Sequence, residues 1–128
     1  MAAKRILLVD DEISSAEVLG VVLAGEGYTV TTAADGHQAL ARLAEAAPDL
    51  VITGLMMPMV NGAELVQALR EHAQYPQYRD VPVILMSGAP ESALDAYGVS
   101  YQAFLRKPFN LEQLLAAVHR LLPPPAGA

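Results

Sequence analysis

The stretch Pro48-Asp49-Leu50-Val51-Ile52-Thr53-Gly54-Leu55-Met56-Met57-Pro58 decides the fold. Its apolar and β-branched middle, 50–53, is bounded by turn-forming residues and predicts a buried strand that opens into a loop. Such a strand, apolar on both faces, belongs inside a parallel sheet whose two faces are covered. Glycine closes this run where the neighbouring runs end in chemistry: Asp10-Asp11, Ser87 and Lys107 each follow another short apolar stretch. Together they make a set of hard oxygen ligands, a hydroxyl and an ammonium. The carboxylate expected at its centre is replaced by a residue without a side chain.

Four further apolar runs, Arg5 to Val9, Tyr28 to Ala33, Val81 to Met86 and Tyr101 to Leu105, have the length and composition of strands. Helical patterns separate them, with start signals of a cap residue followed three positions later by Glu or Gln at Ser14/Glu17, Asp35/Gln38, Asn61/Glu64 and Asn110/Gln113. Leu111, Leu114, Leu115, Val118, Leu121 and Leu122 form one apolar stripe before Pro123-Pro124-Pro125 forbids continuation. In the first helical pattern Val18, Leu19, Val21, Val22 and Leu23 exceed what one buried stripe requires. Packing against the sheet is their expected use, with a partner surface as the alternative. Strands alternating with helices give an α/β class with a doubly wound parallel sheet.

Composition narrows the function. One domain of 128 residues buries roughly two-thirds of the surface of its unfolded chain, and 53% hydrophobic against 17% charged residues describes a globular core. A formal net charge of −6 with scattered Lys and Arg argues against direct nucleic-acid binding. Cysteine is absent, which excludes disulfides and thiolate metal sites and is compatible with a cytoplasmic location. The run Ile6 to Val9 is too short for a signal-peptide core or a membrane span, so a soluble chain without membrane contact is expected.

In open α/β sheets ligands sit beyond the carboxyl ends of the strands, so the residues after each run carry the function. Asp10, Asp11 and Glu12 suit Mg²⁺, which takes one or two carboxylates and keeps several waters. Ser87, on the turn Ser87-Gly88-Ala89, can donate to a phosphoryl oxygen. Lys107, before Pro108 where a cis peptide is permitted, supplies a point charge. Asp49 begins its strand and stands about five residues, roughly 16 Å, from the other end. Thr53 faces away from position 54 by strand alternation. His37, His72 and His119 lie in helical patterns at no metal-ligand spacing.

In order, Leu7-Leu8-Val9-Asp10-Asp11-Glu12, Met56-Met57-Pro58 with Asn61-Gly62, Ser87-Gly88 and Lys107-Pro108-Phe109 closely resemble the receiver domain of two-component response regulators, from Lys4 to about Leu122. The resemblance implies a CheY-like, flavodoxin-like (βα)5 sandwich of strand order 2-1-3-4-5, in a domain of residues 1–122 followed by a Pro-rich tail, 123–128. It makes Asp10, Asp11 and the carbonyl of Met56 the Mg²⁺ ligands, Ser87 the switch hydroxyl, Lys107 the phosphate-binding lysine and Phe104 the aromatic whose rotamer reports activation. The phosphoacceptor aspartate falls on Gly54.

Without a nucleophile at 54 the usual aspartyl phosphate cannot form, and Mg²⁺ loses a ligand. The resemblance then implies a non-enzymatic bacterial receiver of a phosphorelay that acts by protein docking, with weak or absent Mg²⁺. Its partners would be a sensor histidine kinase or phosphotransfer protein and a downstream target or output domain. Tyr97, Tyr101, Phe104 and the exposed side of Asn110 to Leu122 are the implied docking face. A second reading is an ordinary phosphoaccepting receiver carrying an Asp-to-Gly substitution at 54, favoured by the intact Asp11, Ser87 and Lys107. A third, a small Mg²⁺-dependent phosphatase using Asp10 or Asp11, lacks an accompanying general acid.

Overall fold

The structure, a computed structural model, describes residues 3–57 and 60–122. The Pro-rich tail and Pro58 lie outside the described residues. Five parallel strands, β1 (Arg5–Val9), β2 (Thr29–Ala33), β3 (Leu50–Gly54), β4 (Val83–Ser87) and β5 (Ala103–Arg106), form one sheet in the order β2-β1-β3-β4-β5. Between and after them run α1 (Ile13–Gly25), α2 (Gly36–Ala41), α3 (Leu43–Ala46), α4 (Gly62–Arg70) and α5 (Leu111–Leu121).

Strand alternation divides the core in two. Leu7, Val9, Val51, Val83 and Leu85 face α2, α3 and α4, while Ile6, Leu8, Leu50, Ile52, Ile84 and Met86 face α1 and α5. Thr53 follows Val51 onto the first face and Gly54 follows Ile52 toward the second, as alternation requires.

The capping boxes at Asn61/Glu64 and Asn110/Gln113 form in full, each with both reciprocal bonds. Asp35 accepts from the Gln38 amide, but the Gln38 side chain bonds the Ala34 amide in place of the cap's own. The Ser14/Glu17 box does not form. Helix α1 begins at Ile13 with Glu12 at its cap, because Asp10 Oδ1 accepts from the Glu12 amide at 3.0 Å and turns the chain earlier. The second helical pattern breaks at Arg42 into α2 and α3. The β4–β5 crossover carries a 3-10 segment, Glu91–Ala96, in place of an α-helix; Pro90 opens it and Gly98, at positive φ, follows it.

Two packing expectations are corrected. Leu19 and Leu23 are buried, yet Val18 and Val21 are 60% and 73% exposed, because α1 meets the sheet on one side and these positions point outward. On α5, Leu114, Val118 and Leu122 are buried, whereas Leu111 is exposed.

Arg70, at the end of α4, donates to the carbonyls of Arg79 (3.0 Å), Val81 (2.6 Å) and Ser100 (2.9 Å) and to Gln102 Oε1 (3.3 Å), so one guanidinium ties α4 to the entrances of β4 and β5. Burial pulls its pKa down and Asp80 pulls it back up. Arg70→Ala is expected to cost about 2 kcal/mol in denaturant unfolding, since carbonyls lose a charged donor. Arg70→Lys recovers less than half, because an ammonium lacks the planar fork. Full recovery with lysine would show that charge alone matters there.

Candidate functional site

The register places the site residues in one row. Val9 lies beside Thr53, Gly54 beside Met86 and Ser87 beside Arg106, so positions 10, 54, 87 and 107 line the carboxyl edge of the sheet. Asp49 is at the opposite edge, where its Oδ2 accepts from the Arg5 amide at 2.8 Å. It holds the start of β1 and cannot act in the row.

Asp10 is buried. Its amide donates to the Ala33 carbonyl and its Oδ1 accepts from Glu12, but Oδ2 has no hydrogen-bond partner among the described residues. Lys107 Nζ stands 3.6 Å from that oxygen, with the lysine side chain 32% and the aspartate side chain 1% exposed. Strands β1 and β5 are three strand spacings apart, about 14 Å. The side chains of Asp10 and Lys107 therefore meet above the ends of the intervening strands β3 and β4, where Gly54 and Ser87 sit. The Lys107–Pro108 peptide is cis, and the Lys107 amide donates to the Ser87 carbonyl at 2.8 Å.

Ser87 is buried and its Oγ accepts from the Ala89 amide at 3.1 Å. Asp11 and Met56 are exposed. Phe104 is half-buried against the α2–α4 side of the core. The histidines stay outside the row: His37 is exposed, His72 Nδ1 accepts from the Gln74 and Tyr75 amides, and His119 pairs with Glu26 at 3.3 Å.

Gly54 is buried, and its carbonyl accepts from Thr53 Oγ1 at 2.9 Å. A Cβ at this position would meet Met57 Cγ at 3.8 Å, Met57 Sδ at 3.9 Å and the Val9 carbonyl at 4.0 Å, all ordinary contacts. The backbone therefore has room for a Cβ that the sequence omits. Met57 carried no sequence signal of this contact, and neither did the Thr53 hydroxyl.

The donor set suits a hard divalent cation: an orphaned, buried carboxylate oxygen on Asp10 with the exposed Asp11 carboxylate adjacent in sequence. Among the described residues no three His, Cys, Asp or Glu side chains gather to hold a metal. An aspartate at 54 would add a third carboxylate to the row. Beside the site a hollow of about 590 Å³ runs between α1 and the β5–α5 turn, lined by Ser15, Val18, Leu19, Pro108 and Phe109. No helix among the described residues is long and apolar enough to cross a membrane.

Without Mg²⁺, Gly54→Asp is expected to melt no higher than the Gly54 chain. The new Cβ meets only ordinary contacts, but the side chain brings a third carboxylate against Asp10 and Asp11. A clearly higher melting temperature by calorimetry would contradict this.

A doubly wound sheet in the order 2-1-3-4-5 with this edge row is a CheY-like flavodoxin fold. The chain belongs to the response regulator receiver domain family, whose pattern matches residues 6–119. It is 36% identical over 121 residues to the DNA-binding response regulator MtrA of Mycobacterium tuberculosis, covering 93% of this chain and 50% of that protein. It is similar also to the DNA-binding dual master transcriptional regulator RpaA of Synechocystis, at 32% identity over 92% of this chain and 48% of that protein. The chain spans about half the length of these curated relatives. Among solved structures, Vibrio cholerae chemotaxis protein CheY4 superposes with a TM-score of 0.81 at 37% identity, covering 94% of this chain and 100% of that one. The Thermotoga maritima response regulator TrrA, solved in complex with Mg²⁺ and BeF, gives 0.80 at 33% identity, covering 93% and 99%. Receiver domains are signalling modules, not enzymes.

Proposed function

We propose that this chain is the receiver module of a two-component phosphorelay that cannot form the usual aspartyl phosphate and acts by docking to other proteins. The observation that carries this reading is Gly54, buried at the end of β3 between Asp10 on the β1 side and Ser87 on the β4 side, in the row that the Asp10–Lys107 pair spans. A sensor histidine kinase or phosphotransfer protein is the upstream partner. The output lies in a target or in a further domain, as the greater length of the relatives suggests. The site is cytoplasmic in this reading.

Tyr97, Tyr101, Phe104 and the outer side of Asn110 to Leu122 form the docking face. Phe104 and Tyr101 border a hollow of about 490 Å³ with Ala116, Ala117 and Arg120, and the Tyr101 hydroxyl donates to Glu91 at 2.8 Å. That hydrogen bond, followed by burial and the charges of Glu91 and Asp95, raises the pKa of Tyr101. Mg²⁺ would be held by Asp10, Asp11 and the Met56 carbonyl, more weakly than with a carboxylate at 54. When bound it supplies positive charge at the row's edge.

The alternative, an ordinary phosphoaccepting receiver with an Asp-to-Gly substitution, is favoured by the intact Asp11, Ser87 and Lys107 and by a Cβ at position 54 that would have no neighbour closer than 3.8 Å. The two readings diverge on partner binding measured by calorimetry with the unmodified chain and with Gly54→Asp treated with a small phosphodonor. In the docking reading the unmodified chain binds its partner as tightly as the treated variant. Tight binding by the treated variant alone, or a donor-dependent change in the unmodified chain, would overturn it.

A further inference from the structure

Between α4 and the chain just after the 3-10 segment runs a hollow of about 540 Å³. It contains no residue of the row at Gly54 and shares no lining residue with the hollow at Tyr101 and Phe104. We infer that it docks an amphipathic α-helix of a partner protein, with Lys or Arg at positions i and i+7 and apolar residues at i+3 and i+4.

The walls come from two elements. On one side α4 presents Ala63 and Ala68, whose small side chains let another backbone approach closely. On the other side stand Tyr97 and Val99. Gly98 between them has a φ of 63°, which favours glycine, and the turn it makes leaves both neighbours on the groove. Tyr97 is 42% exposed, a large ring left in solvent beside an apolar floor.

Charge selects the occupant. Glu64 and Glu71 line the same groove two helical turns apart, about 10.5 Å along α4. Each uses only Oε1 within the chain, Glu64 for the Asn61 amide and Glu71 for the Gln67 side chain, and neither forms an ion pair among the described residues. No Lys, Arg or His is among the described residues that line the groove, and the exposed Glu91 and Asp95 on the adjoining segment extend the negative potential. A single small cation meets one of the two carboxylates but cannot span both. A helix lying along α4 meets both, because its own residues i and i+7 are also two turns apart, and its i+3 and i+4 side chains then fall between them against Ala68 and Val99. Tyr97 offers its ring face to one of the cations.

The test is fluorescence anisotropy with a labelled, alanine-rich helical peptide of fourteen residues that carries lysine at its fourth and eleventh positions and leucine at its seventh and eighth. The unmodified chain is expected to bind it saturably, and more weakly as salt rises. Glu71→Lys weakens binding about fivefold, and changing one of the two peptide lysines to glutamate restores it on that variant. Tyr97→Ala weakens binding to a similar degree. Both positions are exposed, so the two variants keep the melting temperature of the unmodified chain. The inference is overturned by absence of binding, by equal binding of a peptide with lysines at the fourth and eighth positions or with a proline at the seventh, or by undiminished binding to both variants. Amide shifts on peptide addition that centre on Tyr101 and Phe104 in place of Ala68 and Val99 overturn it as well.

Discussion

Incubated with phosphoramidate and Mg²⁺, the Gly54→Asp variant is expected to gain one phosphoryl group by intact mass, and the unmodified chain none. The difference is all or nothing because the reaction needs a nucleophile, not a better environment for one. None of the neighbours can substitute. Thr53 Oγ1 is fully buried on the other face of β3 and donates to the Gly54 carbonyl at 2.9 Å. Asp10 has 1% of its side chain exposed and faces Lys107, and the Ser87 hydroxyl is buried and bonded to the Ala89 amide. Asp11 is exposed, but it lies in the β1–α1 turn and not at the end of β3.

The outcomes separate the readings. Label on the variant alone means that the rest of the row is competent and only the acceptor is gone. Label on neither means that Asp10, Ser87 and Lys107 no longer serve transfer either. Label on Asp10 or Asp11 of the unmodified chain would sink the account of Gly54, and steady phosphate release would support a hydrolase.

Much of this was legible in the sequence because the strands are short, the central ones are apolar on both faces, and β1, β4 and β5 run into Asp10, Ser87 and Lys107. The β1 bounds, Arg5–Val9, and Gly54 at the close of β3 follow from that pattern, whereas β4 begins at Val83, two residues after the apolar run starts, and continues one residue past Met86 to Ser87. What the pattern misses is governed by contacts between elements. Ser14 and Glu17 carry the local signature of a helix cap, but the Asp10 carboxylate satisfies the Glu12 amide first and starts the helix earlier. Val18 and Val21 look like core by composition and face outward by geometry. The region after Ser87 has residues able to form a helix, yet Pro90 and Gly98 leave room only for a 3-10 segment. Arg70 shows no motif at all, since its partners at 79, 81, 100 and 102 are distant in sequence and mostly backbone. The row of Asp10, Gly54, Ser87 and Lys107 was readable because a parallel sheet forces all carboxyl ends to one edge.

Gly62→Ala is expected to be the most damaging single methyl in the domain, costing about 3 kcal/mol and lowering the melting temperature by about 10 °C. A Cβ there would overlap the Gly54 carbonyl oxygen and stand 3.0 Å from both the Gly54 carbonyl carbon and Leu55 Cα. These are backbone atoms of a central strand, so no side chain can swing aside to relieve the overlap. The Gly62 amide also donates to the Leu55 carbonyl at 2.8 Å, so the first turn of α4 is held against the end of β3 by the approach that a methyl forbids. Moving α4 away would strain that bond. Gly20→Ala supplies the contrast: its Cβ has one neighbour, Val30 Cγ1 at 4.0 Å, and it lies inside α1, so alanine should stabilise by about 0.5–1 kcal/mol. Calorimetric scans of the two variants should move in opposite directions, and an undisturbed Gly62→Ala would mean that α4 can slide without cost. The comparison also separates two glycines that a sequence presents alike. Gly62 is required by the backbone it touches, whereas a Cβ at Gly54 would have no neighbour closer than 3.8 Å, so packing does not demand glycine there.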